Sequence, residues 1–65
     1  MKQVEIIVKS RLDPVWSEWF DNLELKHLGS DKTVIMGTVE DMAAFFGLLD
    51  KVKCLGLQLV SVKYY

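Results

Sequence analysis

The chain has too few cysteine and histidine residues to cross-link itself through disulfides or a metal. Its 65 residues include one cysteine, Cys54, and one histidine, His27. A single cysteine excludes an internal disulfide, and the two residues together do not supply the four ligands of a structural zinc site. We expect no metal and no cofactor. A domain of this length buries only about 60% of the surface of its unfolded chain, so self-association is the remaining way to reinforce it.

The chain also lacks a run of charge of one sign and an apolar run long enough to cross a bilayer. Eight basic and nine acidic side chains are interspersed and give a formal net charge of −1. We therefore expect no nucleic-acid partner and no membrane span, although Lys2, Lys9, Arg11 and Lys63 could gather at one end of a sheet. Glu5 interrupts the first apolar stretch, so we expect no signal peptide and a cytoplasmic location.

Hydrophobic residues make up 51% of the chain, which indicates one folded domain over residues 1–65. Alternation of apolar and polar residues predicts strands at residues 3–9, 23–27, 33–39 and 59–65. The turn residues at 29–32 join the second and third strands in a hairpin.

The pattern does not decide which face of the strand at residues 33–39 is buried. Ile35 and Val39 lie on one side with Gly37, and Val34 and Met36 lie on the other. A glycine in the middle of a strand indicates a bulge or a close helix crossing.

Two segments have helical periodicity. The first follows Asp13-Pro14, an N-cap residue with proline at the first helical position, and runs for about ten residues. Its apolar stripe consists of Leu12, Val15, Trp16, Trp19, Phe20 and Leu23, which we expect to enter the core, with Trp16 or Trp19 partly exposed at its end as the alternative. The second begins at Glu40-Asp41 and ends before Gly56, which suits a Schellman cap completed by Leu57. Its stripe consists of Ala44, Phe45, Leu48, Leu49, Val52 and Leu55.

The order strand, helix, strand, strand, helix, strand predicts an α+β fold. A chain this short fills two layers, so both helices are expected to cover one face of one sheet. Right-handed crossovers then give a ferredoxin-like βαββαβ sandwich with an antiparallel sheet in the order 4-1-3-2.

The C-terminal half of the sequence resembles a group of small uncharacterised prokaryotic ferredoxin-like proteins. Their pattern is G-x-x-x-D-x-A-A-φ-x-G-L-L followed by L-G-L-x-L-x-S-V, where φ is apolar, and residues 37–49 and 55–62 match it. The same stretch is more weakly similar to the BON domain, which has a strand ending in G-x-V, a helix and a final strand. The first resemblance implies a fold and no activity.

No motif for catalysis is present, so we expect a non-enzymatic protein. His27 has no serine or cysteine partner in a recognisable motif, and Cys54 lies away from the helix stripe as an inert thiol. The alternative is a small enzyme, or an accessory subunit whose site a partner completes. Arg11, Asp13 and His27 are the residues that we would test for it.

Apolar residues at positions expected to face solvent predict an interaction surface. The open face of the sheet would carry Ile7, Val34 and Met36, together with Leu59 and Tyr65, while Phe46 and Met42 lie on the outer side of the second helix. A contiguous apolar set of this kind marks an interface. We therefore expect an interaction or regulatory module that forms a homodimer through the open sheet face or binds another protein.

Overall fold

Four strands pair into one antiparallel sheet in the computed structural model, which describes residues 2–20 and 23–65. The strands are β1 (Lys2–Val8), β2 (Glu24–Leu28), β3 (Lys32–Val39) and β4 (Leu59–Tyr64). They lie in the order β2-β3-β1-β4, which reads 4-1-3-2 from the β4 edge. β1 and β3 are the two central strands, and β2 and β4 form the two edges.

The inward face of β1 forms the centre of the core. Val4, Ile6 and Val8 are fully buried and alternate with the residues of the open face. Ile6 lies opposite Ile35 in the register with β3, so Ile35 is the inward residue. Val34 therefore lies on the open face, which resolves the ambiguity that the sequence left for this strand.

The helix predicted after Glu40-Asp41 is present as α1 (Met42–Cys54). The Asp41 carboxylate accepts a hydrogen bond from the backbone N–H of Ala44 at 2.9 Å and caps the first turn. Phe45, Leu48 and Val52 are buried, as an α-helical stripe requires. The helix ends in the expected Schellman cap: Gly56 has a φ of 70°, and the N–H of Leu57 donates to the carbonyl of Val52 at 3.3 Å.

The first predicted helix is wrong. Pro14–Glu18 forms a short 3-10 helix, and two of the residues that the predicted helix covered, 21 and 22, lie outside the described residues. Asp13 caps the 3-10 helix as expected, accepting from the N–H of Val15 at 3.0 Å. With three residues per turn, the spacing of Trp16 and Trp19 places both on one outer face. They are 39% and 43% exposed, so the expectation that both form the core is wrong, and the partial exposure that the sequence allowed for one of them is found for both.

The predicted ferredoxin-like fold is therefore corrected. The described part of the chain has one α-helix over the sheet, not two, and the space expected for the other helix holds the 3-10 helix and the turn after it. That segment contributes one large side chain to the centre of the core, the fully buried Phe20. The protein is a small domain with both α and β structure and one antiparallel sheet.

The pairing with β1 is continuous through Gly37, so no bulge is present there, and the group that approaches it does not belong to a helix. A Cβ atom at position 37 would collide with the side chain of Leu23, which is itself buried just before β2. The glycine therefore lets Leu23 fold over β3 beside the core.

Across the described ranges, no helix has both the length and the apolar character needed to cross a membrane.

Candidate functional site

The seven predicted interface residues divide between two surfaces of the molecule. Ile7, Val34, Met36 and Tyr65 belong to the open face of the sheet. Met42, Phe46 and Leu59 belong to the side of the sheet that α1 covers. The structure therefore does not bring all seven into one surface.

The open sheet face carries a small apolar patch between charged side chains. Val34 lies between Ile7 of β1 and Lys26 of β2, and only 8% of its surface is exposed. Met36 lies between Glu5 and Glu24 in the next cross-strand row. Ile7 and Met36 are half-buried by these neighbours. The open face is therefore less apolar than its sequence pattern indicates.

Leu59 lies on the helix side because the register between β1 and β4 shifts. Ile7 pairs with Ser61 but Val8 pairs with Leu59, so one extra residue of β4 is accommodated at that point. Leu59 and Val52 of α1 line a cavity of about 300 Å³. The prediction that Leu59 lies on the open face is wrong, because a shift of one residue moves a side chain to the opposite face.

The flank of α1 nearest β4 is apolar and exposed. Phe46 and Met42 are one turn apart, and Phe46 shares its stripe with Leu49, which lines the same cavity as Leu59. Phe46 is 56% exposed, which confirms that it faces solvent. Val60 of β4 is also largely exposed. We call this set the β4-side surface; its members are Met42, Phe46, Leu59 and Val60.

The two edges of the sheet differ in how they are protected. β2 is short, carries Glu24, Lys26 and His27 among its five residues, and packs against the 3-10 helix. β4 carries one charged residue, Lys63, among its six. Short length and charge are the usual means of protecting a strand edge from pairing with another chain. The register shift in β4 is confined to its Leu59 end, so over residues 61–64 the β4 edge is the less protected by charge.

Arg11, Asp13 and His27 line one shallow cavity of about 190 Å³, so the structure does bring the three alternative candidates together. The polar groups of Asp13 and His27 already have local roles. The Asp13 carboxylate caps the 3-10 helix, and Nε2 of His27 lies 2.7 Å from the carbonyl oxygen of Leu12. Because a carbonyl oxygen only accepts, Nε2 is the donor in this hydrogen bond.

Thr33 fixes the same loop from the inside of the sheet. Its hydroxyl accepts from the N–H of Leu12 at 3.0 Å and donates to the carbonyl of Ser10 at 2.6 Å. Thr33 is fully buried, so these hydrogen bonds replace water for two backbone groups of the loop. The residues around this cavity therefore hold the chain between β1 and the 3-10 helix in place.

Trp16, Trp19, Val15 and Glu18 line a wide, open depression on the 3-10 helix. The Nζ atom of Lys51 lies 6.0 Å from the centre of the Trp19 ring, a cation–π distance. This exposed aromatic surface was missed at the sequence level, because an α-helical period places both tryptophans on the buried stripe. The proline followed by β-branched and aromatic residues is the one local sign of a weaker helix.

The basic residues that could have formed a nucleic-acid surface do not gather at one end of the sheet. Lys2 begins β1, while Lys9 and Arg11 follow its other end, about 20 Å away at the rise of an extended strand. Lys63 lies opposite Glu5 in the register between β4 and β1. Within residues 2–20 and 23–65, no group of three or more acidic, histidine or cysteine side chains could hold a metal ion.

Residues 3–63 match a family described as "Domain of unknown function (DUF8691)". The match spans nearly all of the chain, so the protein belongs to this family. No curated protein and no solved structure matches the sequence significantly.

Proposed function

We propose that this domain is a small non-enzymatic interaction or regulatory module that self-associates. One observation supports the proposal: the exposed apolar side chains of the β4-side surface lie beside the less protected edge of the sheet. Monomeric proteins seldom expose a large contiguous apolar patch unless it binds something. A domain of 65 residues with one cysteine gains stability by covering such a surface with a second copy.

The open sheet face is one of two candidate surfaces for this self-association. Ile7, Val34 and Met36 form its apolar centre, and Tyr65 is exposed on the same face. The flanking charges and the near-complete burial of Val34 leave this patch small. The β4-side surface offers more exposed apolar area, and it favours self-association through that side of the molecule.

The proposal is tested by light scattering coupled to size exclusion, over at least a tenfold range of protein concentration. A mass of twice the chain that falls to the monomer on dilution is the expected result. A monomer at every concentration would contradict self-association and leave a different protein as the partner.

The open face is tested separately with Met36→Glu and Ile7→Lys, which place a charge in its apolar centre. Thr38→Glu is the matched control, because Thr38 is exposed on the same face of β3, outside that centre. If the open face is the contact, the first two variants weaken association and the control does not. An unchanged association state in all three excludes this face.

A second candidate function is a small enzyme or accessory subunit that uses the cavity of Arg11, Asp13 and His27. Their convergence on one concave site is the observation in its favour. His27→Gln and Arg11→Ala would then abolish an activity found in the complete assembly while the fold, judged by circular dichroism, is retained. The local structural roles of Asp13 and His27 make this candidate the weaker one.

We place the module in the cytoplasm as part of the proposal. The free, exposed thiol of Cys54 suits a reducing compartment. Fluorescence microscopy of the tagged protein in its own host tests this location.

A further inference from the structure

We propose that two copies of this domain join edge to edge, with β4 of one copy pairing antiparallel to β4 of the other about a two-fold axis at Val62. The two sheets then form one continuous sheet of eight strands. This inference rests on the proposed self-association and names the surface and the geometry that produce it.

The outer edge of β4 presents backbone groups in the right places. Tyr65 N–H donates to the carbonyl of Gln3 at 2.8 Å, so the pair Tyr65–Gln3 is a hydrogen-bonded pair of the antiparallel ladder. Hydrogen-bonded and non-hydrogen-bonded pairs alternate along such a ladder. Val62 and Tyr64, which lie opposite Ile6 and Val4, therefore turn their N–H and C=O groups away from β1.

The charges of β4 decide the register. An axis at Lys63 would place the two Lys63 side chains directly opposite each other, which is destabilising. An axis at Val62 instead places Lys63 of each copy opposite Ser61 of the other, on the open face of the sheet. Lys63 also keeps Glu5 as its neighbour on β1 within its own chain.

The apolar side chains of β4 match in the same register. Val62 and Tyr64 pack against the core on the helix side. Val60 is the extra residue of the register shift and has no partner on β1. Val60 of one copy then lies opposite Tyr64 of the other, and the two Val62 residues meet at the axis. Val60 is 47% exposed in the single chain, and the pairing covers it. An axis at Ser61 would place Tyr64 opposite the polar Gln58 instead.

Two features of the molecule point to a second copy as the occupant of this edge. Pairing about Val62 matches the apolar residues Val62 and Tyr64 with apolar residues and places no two lysines opposite each other. The neighbouring flank of α1 continues the apolar surface, since the ring of Phe45 lies 4.9 Å from that of Tyr64 and 6.2 Å from that of Phe46. Two such flanks approach each other when the strands pair, and Phe46 then contacts the second copy.

Amide hydrogen exchange of the full chain, measured by NMR at several protein concentrations, tests the pairing directly. The N–H groups of Ser61 and Lys63 bond to β1, and we expect them to be protected at every concentration. The N–H groups of Val62 and Tyr64 face outward, so we expect fast exchange when dilute and protection that increases as the dimer forms. An open-face dimer would leave both outward amides unprotected.

Variants supply an independent test. Val62→Pro removes an outward donor while the ladder to β1 is retained, because proline is tolerated on an edge strand where its nitrogen faces solvent. We expect loss of the dimer, whereas Val62→Thr, which keeps the donor and the β-branched shape, still associates. If Val62→Pro does not fold, charged substitutions at Ser61 test the same pairing, because the proposed register predicts the direction in which each one changes the dimer Kd. Ser61→Glu forms two opposite-charge pairs with Lys63 across the axis and should lower the dimer Kd by roughly 2- to 30-fold, while Ser61→Lys should raise it.

The outcomes separate this inference from the function on which it rests. A wild-type dimer with protected Val62 and Tyr64 amides and the expected signs at Ser61 supports both. A wild-type dimer whose outward amides stay unprotected, or that survives Val62→Pro, overturns the β4 pairing and leaves self-association standing. A wild-type protein that is monomeric throughout overturns both.

Discussion

Phe20 and Phe46 have the same side chain at the two extremes of burial, and replacing each by alanine tests where the stability of the fold arises. Phe20 is fully buried at the end of the turn that follows the 3-10 helix, whereas Phe46 is 56% exposed on α1. We expect Phe20→Ala to be far more destabilising, although both changes remove the same atoms.

The magnitudes follow from burial. Removing a buried phenylalanine loses its transfer free energy and leaves a cavity, at a cost of about 3–5 kcal/mol. A domain of this length has a free energy of unfolding of roughly 3–10 kcal/mol, so Phe20→Ala is expected to be marginally stable or unfolded. Phe46→Ala loses less than half of the roughly 1.5–3 kcal/mol that full burial gives, and alanine recovers part of it through helix propensity. Its net cost should be about 1 kcal/mol or less.

The assay is unfolding in urea followed by tryptophan fluorescence, since Trp16 and Trp19 lie close to Phe20 in the chain. The measurement is made at a low protein concentration, so that association does not add to the apparent stability. Phe20→Leu keeps part of the packing and should give an intermediate midpoint. Equal losses in Phe20→Ala and Phe46→Ala, or a larger loss in the second, would refute the assignment of Phe20 to the core.

Three further predictions concern single contacts, each read as a shift in the urea midpoint. Thr33→Val removes both hydrogen bonds to the loop and should lower the free energy of unfolding by about 1–3 kcal/mol. Thr33→Ser keeps the hydroxyl and should lose less stability. Equal losses in the two variants would contradict the role of the hydroxyl. Gly37→Ala forces its Cβ into the Leu23 side chain and should lower the free energy of unfolding by about 1–3 kcal/mol. The loss should be smaller when Leu23 is also replaced by alanine. An equal loss in both backgrounds would show that Leu23 is not the obstacle. Asp41→Ala removes the cap on Ala44 N–H and should cost about 1 kcal/mol, whereas Asp41→Asn should be nearly neutral; a neutral Asp41→Ala would contradict the cap.

Elements with one strong local signal could be predicted from the sequence. The strands at residues 3–9, 23–27, 33–39 and 59–65 match β1 to β4 within a residue or two, because each alternates polar and apolar side chains. The helix that begins after Asp41 was equally clear, because its cap, its stripe and Gly56 agree. In these segments, local preference and tertiary packing favour the same structure.

The first helix was mispredicted because its pattern fits two structures. Apolar residues at Leu12, Trp16, Phe20 and Leu23 suit an α-helical stripe, but the segment is short and rich in aromatic residues, which lowers its helix propensity. Tertiary contacts then decide. The N–H of Leu12 bonds to Thr33 across the sheet, and Phe20 alone reaches the centre of the core from the turn. Neither contact has a local sequence signal.

The candidate surface was hardest to predict because it depends on a register shift and on which edge of the sheet is left uncovered. One extra residue of β4, opposite the step from Ile7 to Val8 of β1, moves Leu59 to the helix side, where it lines a cavity with Leu49 on the flank of Phe46. Alternation alone predicts the opposite face. Two residues that we expected to be exposed on the open sheet face therefore lie elsewhere or are covered. Val34 is buried between its neighbouring strands, and Leu59 lies on the helix side. Leu59 and Val60 are the exposed apolar residues of the edge strand β4. A strand edge with one charge and an apolar flank is suited to pairing with another strand, which is why we propose the β4 edge as the surface of self-association.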